Sequence, residues 1–231
     1  MADIDLGMDT AADDASLALM RGDEVIAQRA WHVETTMSQE LLAHLDTLLR
    51  DAGIERTAIA SIAVIAGPGQ YGGVRAGVAT AQGLALALDI PLAAVARLEA
   101  DAFPHLGPAG SGAATVVAVH DAGRGQFAWA AYEAGTDGVP RCAVEPRLDA
   151  ADALARDAPK PAVWCGELAD AFTAARDAEG RSGDTVVATP AGGRAASAVR
   201  LARLHAAYGD PALVDAIYLR PPSITAPRPR N

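Results

Sequence analysis

The chain has 231 residues, of which 51% are hydrophobic, 21% charged and 4% aromatic, with a formal net charge of -10. That length fits one large domain or two small ones, and the apolar fraction excludes wholesale disorder. An acidic chain does not grip phosphate backbones by itself, because such binding draws on Lys and Arg to neutralise phosphates. Any work on nucleic acid therefore calls for a partner that does the holding. Met1-Ala2-Asp3-Ile4-Asp5 lacks the basic start and apolar stretch of a secretory signal. No stretch supplies the ~20 apolar residues of a membrane span. Cys142 and Cys165 make neither a disulfide framework nor a thiol metal site. The expected location is the cytoplasm.

Residues 4–9, 15–20 and 25–33 are short apolar runs, with Arg21-Gly22-Asp23-Glu24 turning between the last two, and they predict an antiparallel meander. Thr36-x-x-Gln39 offers a capping box to a helix in which Met37, Leu41, Leu42, Leu45, Leu48 and Leu49 recur at helical spacing. Gly53 stops it. Residues 61–66 read as a buried strand, and the Gly/Pro loop 67–73 opens a second helix to about Leu88. Pro91 opens another strand, and a short helix ends near Phe103. Residues 104–112, rich in Gly, Pro, Ala and Ser, read as a linker.

Beyond the linker the order returns. Strands are expected at 115–119, 126–133 and 141–145, a short helix at 149–156, a strand at 162–165 and a helix at 167–178. A last strand at 185–188 precedes a final helix from about 192 to 208. Two units of three strands, helix, strand and helix predict an internally duplicated α/β chain, with lobes at 1–106 and 113–220 and a Pro-rich tail at 221–231. That order matches the actin and sugar-kinase superfamily of paired ribonuclease-H-like lobes.

Several chemistries fit poorly. Gly67, Gly69 and Gly72 satisfy the dinucleotide spacing, but about sixty residues precede them, and Asp89 falls before its strand rather than at the carboxyl end where a ribose would lie. Gly73 and Val74 stand where a Walker loop needs Lys and Ser/Thr. His32, His44, His105, His120 and His205 show no helical metal spacing, so no metal is expected. A ribonuclease-H nuclease needs carboxylates on its first and fourth strands, and residues 61–66 carry none. There is no Gly-x-Ser-x-Gly elbow. Three partial matches to an actin-like nucleotide site remain: Asp9-Thr10 at the end of the first strand, Asp121 with Gly123 at its counterpart, and Gly192-Gly193 in a Gly-rich loop. An active kinase or ATPase would hold ATP with Asp9, Thr10, Asp121, Gly192 and Gly193. A dinucleotide oxidoreductase is the remaining alternative.

The two helices of the first lobe carry more apolar surface than one sheet needs. Leu41, Leu45 and Leu48 form one stripe with Leu42 and Leu49 displaced from it, and Val74, Val78, Ala81, Leu84, Ala85 and Leu88 make the second helix apolar nearly all round. Each leucine left exposed forfeits ~1.5–3 kcal/mol, so either a partner or a further layer of this chain covers them.

Residues 61–103 resemble the TsaB (YeaZ) family, whose pattern runs GPGSFTGLR-x-G-x-x-x-A-x-GLA, a buried strand and Leu-Glu-Ala; this chain has GPGQYGGVRAGVATAQGLALALDIPLAAVARLEA. Met8-Asp9-Thr10, Ser38-Gln39-Glu40-Leu41-Leu42, Asp121-Ala122-Gly123-Arg124-Gly125 and Ile217-Tyr218-Leu219-Arg220 are similar to further family segments in the same order. The resemblance implies an actin-like fold without catalysis or cofactor of its own. It implies a partner of the TsaD enzyme, which threonylcarbamoylates adenosine beside the tRNA anticodon, together with the ATPase TsaE and with tRNA reached only through the complex. The implied docking surface is the two helices, with Leu41, Leu45, Leu48, Val74, Val78 and Ala85 as apolar contacts and His44, Arg75 and Gln82 as polar ones. The same surface would support a homodimer of the isolated chain. Gln70, Tyr71 and Gly72 depart from the family's Ser-Phe-Thr, and Gly123 from an arginine.

Overall fold

The computed structural model describes residues 4–107, 115–135, 137–189 and 192–219. The first unit comprises β1 (Ile4–Asp9), β2 (Asp14–Arg21), β3 (Glu24–His32), α1 (Met37–Ala52), β4 (Ile59–Gly67), α2 (Tyr71–Leu88), β5 (Leu92–Ala96) and α3 (Arg97–Ala102). The second comprises β6 (Thr115–Asp121), β7 (Gln126–Ala134), β8 (Pro140–Ala150), α4 (Ala151–Asp157), β9 (Ala162–Gly166), α5 (Asp170–Ala178), β10 (Thr185–Val186) and α6 (Ala195–Leu204). The tail 221–231 and most of the linker lie outside the described residues.

The strands form two five-stranded sheets ordered β3-β2-β1-β4-β5 and β8-β7-β6-β9-β10. In each sheet the first three strands pair antiparallel, and the last two run parallel to the first. The duplicated two-lobed α/β fold is therefore present strand for strand. β1 and β4 are buried almost throughout, as expected of central strands covered on both faces. The edge strand β3 is at most half-buried and carries the polar residues.

The third helices exchange lobes. α3 packs against β6, β7 and β9 of the second sheet, and α6 packs against β1, β2 and β4 of the first. Leu98 and Ala102 of α3 join Val116, Ala118 and Ala130 in one apolar cluster. Ala195, Ala198, Val199 and Leu201 of α6 join the core of the first lobe. Gly7 on β1 permits this approach, because a Cβ there would stand 2.0 Å from the Ala195 carbonyl oxygen. Units in sequence and lobes in space therefore interleave.

Beyond α6 the chain crosses back over the first lobe as a strap, residues 205–219. Gly209 and Leu92 exchange two backbone hydrogen bonds of 3.1 Å. Gln82 Nε2 donates to the carbonyls of Pro211 (3.1 Å) and Val214 (2.8 Å), and Ile217 N donates to Ala66 O at 2.7 Å. One flank of α2 is thus covered by the chain itself.

Local expectations shift in several places, and β10 covers only Thr185–Val186. The capping box does not form: Thr36 makes no side-chain cap, and Glu40 instead accepts from the backbone of Glu34 and Thr35, which draws the carboxylate one residue beyond the box position. β8 extends to Ala150 because it pairs with β7 along its length, leaving α4 to begin at Ala151. α5 begins only at Asp170. α6 covers Ala195–Leu204, shorter than expected at both ends, because the flanking residues belong to the cleft and the strap.

Candidate functional site

The helix exchange decides what occupies the cleft between the lobes. Arg97 opens α3, and Arg194 is the residue immediately before α6, so both guanidinium groups reach the cleft from pseudo-equivalent positions. Arg194 Nε binds Asp9 Oδ2 at 2.8 Å, and its Nη1 binds Asp101 Oδ1 at 3.0 Å. Asp9 also accepts from Ala11 N at 3.0 Å. Arg97 lies 3.6 Å from Asp101, donates to Ala11 O at 3.3 Å, and pairs with Glu167. His120 Nδ1 stands 2.6 Å from Glu167 Oε2 and 2.9 Å from Arg97 Nη1. Asp9, Arg97, Asp101, Arg194 and His120 are all buried.

Each buried carboxylate of this cluster lies against a guanidinium. Burial works against charge on Arg194, yet the carboxylates of Asp9 and Asp101 outweigh it and raise its pKa. Burial likewise opposes the charged form of Glu167, but the His120 hydrogen bond and the Arg97 charge hold its carboxyl down at about 2. Removing one member leaves a buried charge uncompensated, which costs more than the pair contributes.

The five residues of the nucleotide reading are not assembled into one site. Asp9 is consumed by Arg194, and the Thr10 hydroxyl donates to Gly73 O at 2.8 Å. Gly192 and Gly193 face the Gln28 and Ser16 side chains. Gly193 borders one cavity with Arg194 and Glu167, whereas Asp121 borders a different one. Pro190 and Ala191 of that Gly-rich loop lie outside the described residues. The Arg97 and Arg194 guanidinium groups engage the carboxylates of Asp9, Asp101 and Glu167 at this lobe boundary.

On the outer side of the first lobe, α1 and α2 contact each other, and their N-termini border a common cavity. Here the expected contact set is corrected. Leu41, Leu45, Leu48, Val74, Val78 and Ala85 are buried within the chain; they are the faces that the two helices turn to the sheet and to each other. Gln82 is committed to the strap. His44 stacks on Trp31, with ring centroids 4.1 Å apart, and its Nδ1 accepts from Arg29 Nε at 2.7 Å. Arg75 stays exposed, with its guanidinium 5.1 Å from the Tyr71 ring centroid. The solvent-facing stripe consists instead of Leu42 (48% exposed), Ala43, Ala79, Gly83, Leu86 (62% exposed) and Ala87. Residues 79, 83, 86 and 87 recur at helical spacing on the side opposite Val74, Val78, Ala81 and Ala85, which is the signal that separates the two faces.

The family profile described as TsaD, tRNA N6-adenosine threonylcarbamoyltransferase, matches residues 32–169. The Bacillus subtilis tRNA threonylcarbamoyladenosine biosynthesis protein TsaB is 38% identical over 94 residues, 41% of this chain and 41% of that protein. The Escherichia coli TsaB is 34% identical over 137 residues, 58% of this chain and 57% of that protein. The YeaZ structure from Pseudomonas aeruginosa superposes with a TM-score of 0.74 at 23% identity, covering 94% of this chain and all of that one. The chain belongs to this family, on its TsaB/YeaZ branch. Its sequence matches span between about two-fifths and three-fifths of the curated TsaB relatives.

Within this TsaB/YeaZ-type chain the glycine-rich segment has a structural duty. A Cβ on Gly69 would stand 2.3 Å from Ala11 O, and one on Gly77 would stand 2.0 Å from Thr10 Oγ1. Gln70 N donates to Ala11 O at 2.9 Å. Gly69, Gly73 and Gly77 are needed because the turn between β1 and β2 lies against them, whereas Gly67 faces the strap at Ile217 O. Asp89, the acid of the dinucleotide reading, is the left-handed C-cap of α2, with φ 56°. Among the described residues, no helix is long and apolar enough to cross a membrane.

Proposed function

We propose that this chain serves tRNA threonylcarbamoyladenosine formation as a non-catalytic subunit, docking the exposed faces of α1 and α2 on a TsaD-type catalytic chain. The observation that carries this reading is the outward stripe of two leucines among alanines and a glycine. Small residues let a second pair of helices approach closely, and the leucines supply apolar area to be covered. Leu42 and Ala43 lie in the first half of α1, and Ala79, Gly83, Leu86 and Ala87 in the second half of α2. The matched TsaD profile spans both helices, so a TsaD-type partner carries their counterparts and can meet like with like.

The Asp9–Arg194 pair and the Thr10–Gly73 hydrogen bond support the non-catalytic part of the reading, since both side chains are already engaged within the chain. A TsaE-type ATPase would then supply nucleotide hydrolysis, and tRNA would be reached through the assembly. That division suits a chain with a net charge of -10. Without its partner, the same stripe would pair two copies of this chain.

The test is co-expression with the host's TsaD and TsaE homologues, scored by threonylcarbamoyladenosine formation with and without this chain and with Leu86→Glu. Modification that needs this chain and is lost with Leu86→Glu supports the proposal. Modification without the chain, or turnover of Mg-ATP by the chain alone, overturns it.

A further inference from the structure

The strap carries Leu213, which at 83% is the most exposed large apolar side chain among the described residues. Its turn is nevertheless held in place. Gln82 Nε2 grips the carbonyls of Pro211 and Val214 on either side of it. Ala212 N donates to Asp210 Oδ1 at 2.9 Å, and Leu213 N to Asp210 O at 3.1 Å. Beneath the turn, Val214 and Ala216 pack on the core of the first lobe. Leu213 is thus presented to solvent by a fixed scaffold, although covering it would be favourable.

The position of Gln82 on α2 fixes what lies beside that turn. Val78 and Ala85 belong to the buried face of the helix. At about 100° per residue, Leu86 stands about 40° round from Gln82 on the side away from them, followed by Ala79 at about 60° and Gly83 at about 100°. The strap turn therefore borders the outward stripe, and Leu213 continues its apolar surface beyond α2. A helix laid along the stripe has a diameter of roughly 10–12 Å and an axis roughly 8–10 Å from that of α2. Its flank then lies against the strap.

We infer that the partner surface extends from α1 and α2 across the strap, with Leu213 as an apolar contact to the same TsaD-type chain and Gln82 as the positioning residue that holds it there. The inference rests on the docking proposed above. It adds to that surface a segment 129 positions beyond Gln82 in sequence, brought alongside α2 by the fold. Gln82 acts through the strap and does not itself touch the partner.

The experiment measures the affinity of the purified full chain for the host's TsaD homologue by isothermal calorimetry, with self-association followed by light scattering. Leu213→Ser removes apolar surface that is solvated in the free chain. Its melting temperature is expected to stay that of the parent while the complex weakens about tenfold. Gln82→Ala frees the turn, which amide hydrogen exchange at Ala212, Leu213 and Val214 reads directly, and is expected to weaken the complex at least about threefold. In a Leu213→Ser background the same change should cost less than about twofold, because the group it positions is gone. Leu86→Glu is the control for the docking itself. If Leu86→Glu abolishes binding and Leu213→Ser binds within about twofold of the parent, the inference is overturned and docking on α1 and α2 stands. If neither variant changes binding, both fall. A Leu213→Ser effect confined to self-association assigns the residue to a second copy of this chain and overturns the inference. Additive losses from Gln82→Ala and Leu213→Ser overturn the positioning role of Gln82.

Discussion

Replacing Arg194 with methionine tests the reading of the cleft most directly. The substitution keeps an unbranched side chain of similar reach and removes only the charge and the donors. Asp9 loses its 2.8 Å partner and retains Ala11 N, while Asp101 keeps only Arg97, 3.6 Å away. Both carboxylates are almost completely buried. Removing one partner of such a pair costs about 3–5 kcal/mol. For a chain of this size each kcal/mol lowers the melting temperature by roughly 2–4 °C, so Arg194→Met should melt about 6–20 °C below the parent. The informative assay is a double-mutant cycle by thermal and urea denaturation at neutral pH. Asn at position 9 still accepts from Ala11 N but needs no counter-charge, so Asp9→Asn/Arg194→Met should recover at least about 1.5 kcal/mol of the loss. The double variant should still bind no Mg-ATP, because Thr10 remains tied to Gly73. A melting temperature within about 2 °C of the parent for Arg194→Met, or the absence of recovery in the double variant, would refute the claim that Arg194 compensates the buried Asp9 carboxylate.

Leu86→Glu should leave the isolated chain folded, because the side chain is already 62% exposed, yet weaken the TsaD-type complex by more than about 2 kcal/mol, close to thirtyfold, by losing buried apolar area and burying a charge. Leu45→Glu should instead collapse the monomer, since Leu45 is a core residue; its circular dichroism melt separates the two cases. A Cβ added at Gly83 would meet nothing within 4 Å, so Gly83→Ala should stabilise the free chain by up to about 1 kcal/mol through helix propensity. If the stripe docks, the added methyl should weaken the complex, and both effects are read from one melt and one pull-down. The lowered Glu167 pKa, about 2 against 4.5, marks stability that is present above about pH 4.5 and lost as the pH falls towards 2. The gap in urea midpoint between the parent and Glu167→Gln should therefore shrink on acidification from about pH 5 to about pH 3. Its size is trimmed by solvent screening, because the Glu167 side chain is 39% exposed.

The order of residues alone was enough to set out the duplicated series of strands and helices, because strand and helix periodicity are local and both units repeat them. It also located the glycine-rich loop before α2 and the excess of apolar residues on α1 and α2. It did not settle which side of those helices faces out. α2 is apolar nearly all round, so its pattern allows several orientations, and only packing against β4 and the strap selected Val74, Val78 and Ala85 as the inner face and Ala79, Gly83 and Leu86 as the outer one. Nor could it place Arg194 on Asp9, a contact between residues 185 positions apart. Nothing in the sequence singles out Arg97 or Arg194. They come to engage the carboxylates of Asp9, Asp101 and Glu167 because α3 and α6 exchange lobes, an arrangement set by three-dimensional packing that no local pattern records.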